Sequence, residues 1–150
     1  MKVVLQRVSR AEVRVAGERV GTIGAGLVCL VCAMRGDGEA EVVQLAERVA
    51  RFRCFPDESG RMARSLLEVQ GSALVVSQIT LAADGSKGRR PSFDRAAAPG
   101  SAQALVERFA AALVELGLTV RAGCFGERME VELVNDGPVT FVLEGAAPEG

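Results

Sequence analysis

Histidine is absent from this 150-residue chain, and its absence excludes much of the usual catalytic chemistry. Without imidazole there is no Ser-His-Asp or Cys-His pair, no histidine-ligated zinc and no histidine general base. Four cysteines are present, but Cys29 and Cys32 lie three positions apart in an apolar, strand-like segment. That spacing places them on opposite faces of a strand, where they do not readily share a metal. The sequence therefore predicts buried thiols, no metal site and no cofactor.

Long apolar runs and a strong net charge are also missing. No apolar stretch approaches the roughly 18 residues that span a bilayer. The first residues are strand-like and do not resemble a secretory signal, so we expect a cytoplasmic protein with no membrane partner. The net charge is −1, and no global positive field draws nucleic acid to the surface. Any contact with a polynucleotide is therefore expected to be local.

The apolar patterns predict one domain over residues 1–145 and a flexible tail over 146–150. Strands are indicated where apolar residues alternate with polar ones or run unbroken. Such segments lie at 3–8, 11–15, 26–32, 53–55, 73–76, 118–124, 129–134 and 139–143.

Two further segments repeat apolar residues at helical spacing. The first is predicted to begin at an Asp37 N-cap and to end near Phe52. The second is predicted to begin at a Ser101 cap and to stop at Gly117. The stretch 61–69 is compatible with a strand or with irregular structure. This order favours a mixed α/β fold, in which β-sheets form a barrel- or sandwich-like core with two helices packed outside.

Two polar stretches interrupt the apolar segments. Ser77-Gln78-Ile79-Thr80 closes the strand-like run at 73–76, a position where a scaffold often presents chemistry. Asn135-Asp136-Gly137-Pro138-Val139-Thr140 is dense in turn-forming residues. From spacing alone this second stretch indicates a hairpin turn between two strands.

A cluster of cations lies in the longest irregular segment, residues 83–100. Lys87, Arg89 and Arg90 fall within four positions, and such a cluster is a candidate site for an oxyanion, a phosphate or an RNA end. A solvated surface loop explains the charges equally well.

These stretches, together with Leu5-Gln6-Arg7-Val8-Ser9-Arg10-Ala11, resemble the motifs of the D-aminoacyl-tRNA deacylases of bacteria and eukaryotes, in the same order from end to end. One departure is visible, because Ile79 stands where that family usually has phenylalanine. The resemblance implies a homodimeric hydrolase that frees tRNA from D-amino acids, and from glycine mischarged on tRNA-Ala, as a chiral proofreading step in translation.

The resemblance also implies a role for each stretch. Ser77, Gln78, Ile79 and Thr80 would be catalytic, and the basic cluster would bind the RNA end. The Gly137-Pro138 turn of one subunit, with a cis peptide bond, would reach into the pocket of the partner, and Arg7 would hold that turn. The implied substrate-binding residues are Arg7, Asn135, Gly137, Pro138, Val139 and Thr140.

An aminoacyl-tRNA ester is already activated, so positioning and an oxyanion hole can supply much of the catalysis without histidine. We expect water to attack with help from the free ribose hydroxyl, oriented by Thr80. The candidate oxyanion donors are backbone N–H groups near Ile79 and Thr80, with Gln78 as a further candidate. Thr80 as nucleophile is the other possibility, although no base lies nearby in sequence. Two other functions stay open: a non-catalytic module that binds an RNA end or anion, and an editing domain that removes a small L-amino acid.

Overall fold

The computed structural model describes residues 1–145, and the tail expected at 146–150 lies outside the described residues. Eight strands and three helices follow one another within these 145 residues. They are β1 (Lys2–Val15), β2 (Glu18–Ile23), β3 (Gly26–Cys32), α1 (Glu39–Arg51), β4 (Phe55–Pro56), β5 (Met62–Arg64), α2 (Leu66–Val69), β6 (Ser72–Ser77), α3 (Pro99–Glu115), β7 (Thr119–Ala122) and β8 (Glu130–Glu144). A short 3₁₀ turn, Ile79–Ala82, follows β6.

The main sheet has six strands and is built around β1. One edge of β1 pairs with β8, and the other pairs with β3 and then with β2, all antiparallel. Beyond β3 the strands β6 and β7 continue in parallel. The sheet curls until β2 approaches β7: a Cβ added at Gly21 would lie 3.1 Å from the carbonyl oxygen of Ala122. The predicted mixed α/β fold with a barrel-like core is therefore confirmed.

Two hydrophobic cores lie on the two faces of the curled sheet. The inner core is formed by Val8, Ala11, Val13, Ile23, Val28, Leu74 and Val76. The outer core packs the sheet against α1 and α3, and its largest fully buried side chains include Leu5, Leu27, Phe109 and Leu113. Strands β1, β3 and β6 each contribute to both cores. Successive side chains of a strand point to opposite faces, and those of β1 change core between Leu5 and Val8.

The long strands β1 and β8 correct the sequence prediction in an important way. Each was expected as two shorter strands, and the polar stretch in the second was expected to be a hairpin turn. In the structure both halves of β8 pair with β1, at Lys2↔Glu144 near one end and Arg14↔Glu130 near the other. The hairpin prediction is wrong because a hairpin would pair the two halves of β8 with each other.

The helix ends also differ from the prediction. The N-cap of α1 is Gly38, because the carboxylate of Asp37 instead accepts hydrogen bonds from the Met34 N–H and from the amino group of Met1. Helix α3 begins at Pro99, ahead of the expected Ser101, since proline fits the first turn of a helix.

The end of α3 agrees with the prediction, and the ambiguous stretch 61–69 is partly strand and partly helix. Gly117 follows the last turn of α3 with φ +98°, which confirms the predicted stop. The ambiguous stretch contains β5 and a third helix, α2, which a Ser65–Glu68 capping box begins. Two helices were predicted, and α2 escaped notice because four residues are too few to show a helical period.

Candidate functional site

The middle of β8 leaves the β1 ladder as a wide bulge. Gln6 of β1 faces Thr140, and two positions later Val8 faces Asn135. Residues 136–139 therefore lie opposite one residue of β1, and we call them the 136–139 bulge. Bulges are frequent beside active sites, because they redirect the backbone without breaking the sheet.

The tip of the 136–139 bulge is formed by Gly137 and Pro138, which are both exposed. Their peptide bond is cis, and Gly137 has φ +143°. A Cβ at Gly137 would lie 2.7 Å from the backbone nitrogen of Val139. This backbone shape therefore requires glycine.

Two side chains hold the base of the bulge. Arg7, whose side chain is 11% exposed, donates from Nε to the Asp136 carbonyl at 3.1 Å and from Nη1 to the Cys54 carbonyl at 2.7 Å. Asn135 donates from Nδ2 to the carbonyls of Arg7 and Val139, at 2.8 and 3.0 Å. Arg7, Asn135 and Val139 thus lie together at one place, while Thr140 accepts a long 3.4 Å contact from Gln6.

The other predicted catalytic stretch lies where β6 ends. The Gln78 N–H donates to the Val31 carbonyl at 2.8 Å, so this group is already used by the sheet. The next two N–H groups, those of Ile79 and Thr80, begin the 3₁₀ turn and have no acceptor within residues 1–145. Free donors are normal at the start of a helical turn. Two adjacent ones can stabilise an oxyanion.

The side chains of this stretch offer little acid–base chemistry. Gln78 Nε2 donates to the Thr80 hydroxyl in a short hydrogen bond, and the part of the chain that is described gives this hydroxyl no carboxylate or amine partner. Ile79 is 58% exposed and presents an apolar surface. Thr80 is therefore oriented by an amide, and the hydrogen bonds around it supply no base that would activate it as a nucleophile.

A cavity of about 580 Å³ opens beside this strand end. Its lining is mostly apolar and comes from β3, the end of β6, the segment before α3, α3 itself and the segment after β7. The lining residues include Ser77, Gln78, Ile79, Phe93, Val106, Phe125 and Met129. A smaller cavity of about 360 Å³ adjoins it along α3 and shares Ser77, Val106 and Phe125. Largely apolar cavities with a few polar groups are typical of small-ligand sites.

Sequence reasoning missed part of the lining of this cavity, which includes Phe93, Phe125 and Met129. A signal was present: the chain has six phenylalanines and neither tryptophan nor tyrosine. Three of those phenylalanines, Phe52, Phe93 and Phe125, lie outside the helices and strands, and Phe93 and Phe125 line the cavity.

The two predicted halves of the site do not meet within one chain. The cavity lining includes Ser77, Gln78 and Ile79, and it includes neither Arg7 nor any residue of the 136–139 bulge. Within residues 1–145 of a single chain, the oxyanion donors and the Gly137–Pro138 tip therefore form separate features.

The basic cluster lies on a loop that continues into the cavity wall. Lys87, Arg89 and Arg90 are exposed, and none of them forms an ion pair within the described chain. Backbone hydrogen bonds of 2.8 and 2.9 Å between Asp84 and Ser92 close the base of the loop. The side-chain and backbone donors of Ser86 lower the pKa of the Asp84 carboxyl. Phe93, which follows Ser92 at the base of the loop, lines the cavity.

The cysteines are mostly buried. Cys29, Cys32 and Cys54 are buried and Cys124 is half-buried, and burial raises the pKa of the Cys29 thiol to about 12. A thiol with such a pKa is not a nucleophile at neutral pH. Among residues 1–145 no three potential metal ligands cluster together.

Comparison with known proteins shows which family the chain resembles. The family model described as D-Tyr-tRNA(Tyr) deacylase matches residues 4–144. A D-aminoacyl-tRNA deacylase of Dinoroseobacter shibae is 54% identical over 145 residues, which cover 97% of this chain and 100% of the relative. One of Thermomicrobium roseum is 55% identical over 150 residues, covering 100% of this chain and 97% of the relative.

Solved structures share the fold. The structure titled c-Myc DNA Unwinding Element Binding Protein superposes with a TM-score of 0.93 at 36% identity, and the match covers 98% of this chain and 100% of that chain. A probable eukaryotic D-amino acid tRNA deacylase gives a TM-score of 0.81 at 18% identity, covering 95% and 97% of the two chains. The second likeness shows the fold alone. None of the helices within residues 1–145 combines the length and apolar character needed to cross a bilayer.

Proposed function

This chain belongs to the D-Tyr-tRNA(Tyr) deacylase family and is a hydrolase, and we propose that it hydrolyses the ester that joins a D-amino acid to the 3′ end of tRNA. The observation that carries the proposal is the pair of free N–H groups of Ile79 and Thr80 beside the cavity. They offer what ester hydrolysis needs most, a preorganised partner for developing negative charge.

The reaction runs by attack of water on the ester carbonyl carbon. The carbonyl oxygen becomes negative in the tetrahedral intermediate and accepts hydrogen bonds from the two free N–H groups. The vicinal ribose hydroxyl takes the proton from the water and passes it to the departing ribose oxygen. Thr80, oriented by Gln78, positions the water, and the products are the free D-amino acid and tRNA.

The chiral selection in this proposal is made by backbone. The protein acts as a homodimer, and the Gly137–Pro138 tip of one subunit enters the cavity of the other beside Ser77. Its carbonyl groups accept hydrogen bonds from the α-amino group and leave no room for an L side chain. Glycine has no side chain to exclude, so glycyl-tRNA mischarged on tRNA-Ala is also a substrate. The exposure of the tip and its separation from its own cavity support this arrangement.

The RNA end is bound by Lys87, Arg89 and Arg90. These exposed cations lie next to a cavity-lining segment, so a tRNA 3′ end whose ester lies in the cavity has phosphates within their reach. The protein removes D-amino acids where aminoacyl-tRNA is used, in the cytoplasm, and so serves as a proofreading step of translation.

The test is deacylation of D-Tyr-tRNA and L-Tyr-tRNA by the purified protein, with and without a chelator. We expect rapid release of D-tyrosine, negligible release of L-tyrosine and no effect of chelation. Binding of tRNA without hydrolysis would favour the non-catalytic module, and preferential release of a small L-amino acid would favour the editing domain.

A further inference from the structure

The structure assigns a positioning role to Asn135: we infer that its side-chain amide clamps the 136–139 bulge in the projecting shape that chiral selection requires. This inference rests on the proposed function. It also changes the expectation that Asn135 contacts the substrate.

The bulge leaves Arg7 and residues 136–139 without partners in the β1–β8 register. Arg7 pairs with Leu27 of β3, but β8 offers it no partner in the register. The Val139 carbonyl lies at the other end of the bulge. An unpaired carbonyl in a partly buried place is costly. A bulge of this width therefore persists only if another donor replaces the ladder.

Asn135 supplies both missing donors. Its amide nitrogen donates at 2.8 Å to the Arg7 carbonyl on β1 and at 3.0 Å to the Val139 carbonyl at the far end of the bulge. A primary amide has two N–H donors, and both are occupied here. The nitrogen is thus unavailable to a substrate, and it fixes the two ends of the bulge relative to each other.

No other polar side chain among the described residues spans the bulge in this way. Arg7 holds the Asp136 carbonyl and ties it to Cys54, which positions the near side of the bulge only. The side chain of Val139 is apolar and buried. Among the described side chains, Asn135 alone joins Arg7 on β1 to Val139 at the far end of the bulge.

The experiment compares Asn135→Asp and Asn135→Ala with Ser65→Ala. Asn135→Asp keeps the size but replaces the two donors with acceptors that repel the two carbonyls, and Asn135→Ala removes the clamp. Ser65→Ala removes the α2 capping box, which destabilises the fold but does not contact the bulge. Ratios of kcat/KM for D-Tyr-tRNA over L-Tyr-tRNA, hydrogen exchange of the 136–139 amides and Tm are measured for each variant.

We expect both Asn135 variants to lose on the order of 100-fold in kcat/KM for the D substrate, as for a group misplaced by about 1 Å. Their D-over-L ratio falls and the bulge amides exchange faster. Ser65→Ala lowers Tm and keeps the ratio. Unchanged ratio and exchange in both Asn135 variants would overturn the clamp.

The outcome also separates this inference from the proposed function. A wild-type protein without D-specific hydrolysis would refute the proposed function, and the inferred role in chiral selection with it. If the wild-type protein lacks D-specific hydrolysis, faster hydrogen exchange of the 136–139 amides in the Asn135 variants would still establish the clamp. Unchanged exchange of those amides would refute the clamp as well.

Discussion

Arg7 is the residue on which three distant parts of the chain converge. Its guanidinium joins the Cys54 carbonyl before β4 to the Asp136 carbonyl of the bulge, and its own carbonyl accepts from Asn135. The Asp136 carboxylate also lies 3.4 Å from Nε, but it is 58% exposed, so this ion pair contributes little stability. The carbonyl contacts of a nearly buried guanidinium are what fix the bulge.

Gly137→Ala is the sharpest test at the residue scale. A Cβ at this position would lie 2.7 Å from the Val139 nitrogen, and alanine rarely adopts φ +143°. The bulge must therefore change shape, and we expect kcat/KM for D-Tyr-tRNA to fall on the order of 100-fold. The matched control is Gly24→Ala, where an added Cβ meets nothing within 4 Å. Full activity of Gly137→Ala would contradict the role given to this tip.

At the element scale, β1 and β8 act as one long ribbon. A network of charges crosses their outer face: Arg14 donates to Glu132 at 2.9 Å, Arg10 lies 3.5 Å from the same carboxylate, and Glu12 bridges Arg14 and Arg19. These cross-strand pairs help to fix the register on one side of the bulge. The hydrogen bonds to Arg14 and Arg10 lower the pKa of Glu132.

The lowered pKa of Glu132 predicts a dependence of stability on pH. A carboxyl with a lowered pKa stabilises the fold above its ordinary value of 4.5, and this contribution is lost as pH falls through the lowered pKa. We expect Glu132→Gln to reduce the free energy of unfolding slightly at pH 7 and to show no deficit in strong acid. Urea unfolding at several pH values measures the difference. A constant gap between the two proteins would show that the ion pairs are not responsible.

The basic loop is a second element whose role can be measured. Replacing Lys87, Arg89 and Arg90 with alanine should weaken tRNA binding and reduce the slope of log K against log salt by about 2, at about 0.7 for each single-strand phosphate contact. The saturated rate should change little. Arg61→Ala, Arg64→Ala and Arg121→Ala together give a control that removes the same charge from other exposed positions. An equal change of slope in that control would reduce the loop to part of the general surface charge.

At the scale of the whole molecule, the proposed function requires two chains to complete one site. The free N–H groups beside the cavity and the exposed Gly137–Pro138 tip are separate features in one subunit. A two-fold dimer that brings each tip to the partner's cavity makes two equivalent sites. The exposed apolar side chains of β8, Val131, Val134 and Val142, are compatible with such an interface.

Complementation between inactive subunits tests this arrangement. Thr80→Ala damages the cavity side and Gly137→Ala damages the tip, so a mixed dimer would contain one site with both parts intact. With random pairing, half of the dimers are mixed and half of their sites work, so we expect about a quarter of the wild-type activity from a symmetric dimer. The two variants are refolded together and compared with the same variants refolded apart. No gain on mixing would place both parts of the site in one chain.

The sequence by itself excluded histidine-dependent catalysis and identified the two polar stretches, 77–80 and 135–140, that form the candidate site. The missing histidine, the apolar periods and the turn chemistry of residues 135–138 are local properties, and local rules predict them. The alternation of β1 and the stop at Gly117 followed from such rules. The family resemblance likewise depended on short motifs, and it gave the correct family and fold class.

Only the tertiary structure decided how those stretches are used. Asn-Asp-Gly-Pro favours a turn wherever it occurs, but the pairing of both halves of β8 with β1 made it a bulge, because cross-strand hydrogen bonds outweigh local turn preference. Asp37 became a partner of Met1 and Met34 instead of a helix cap. The side-chain amide of Asn135 has its role only because the fold places the Arg7 carbonyl, from the other end of the chain, beside it. No local pattern encodes contacts between residues 128 positions apart.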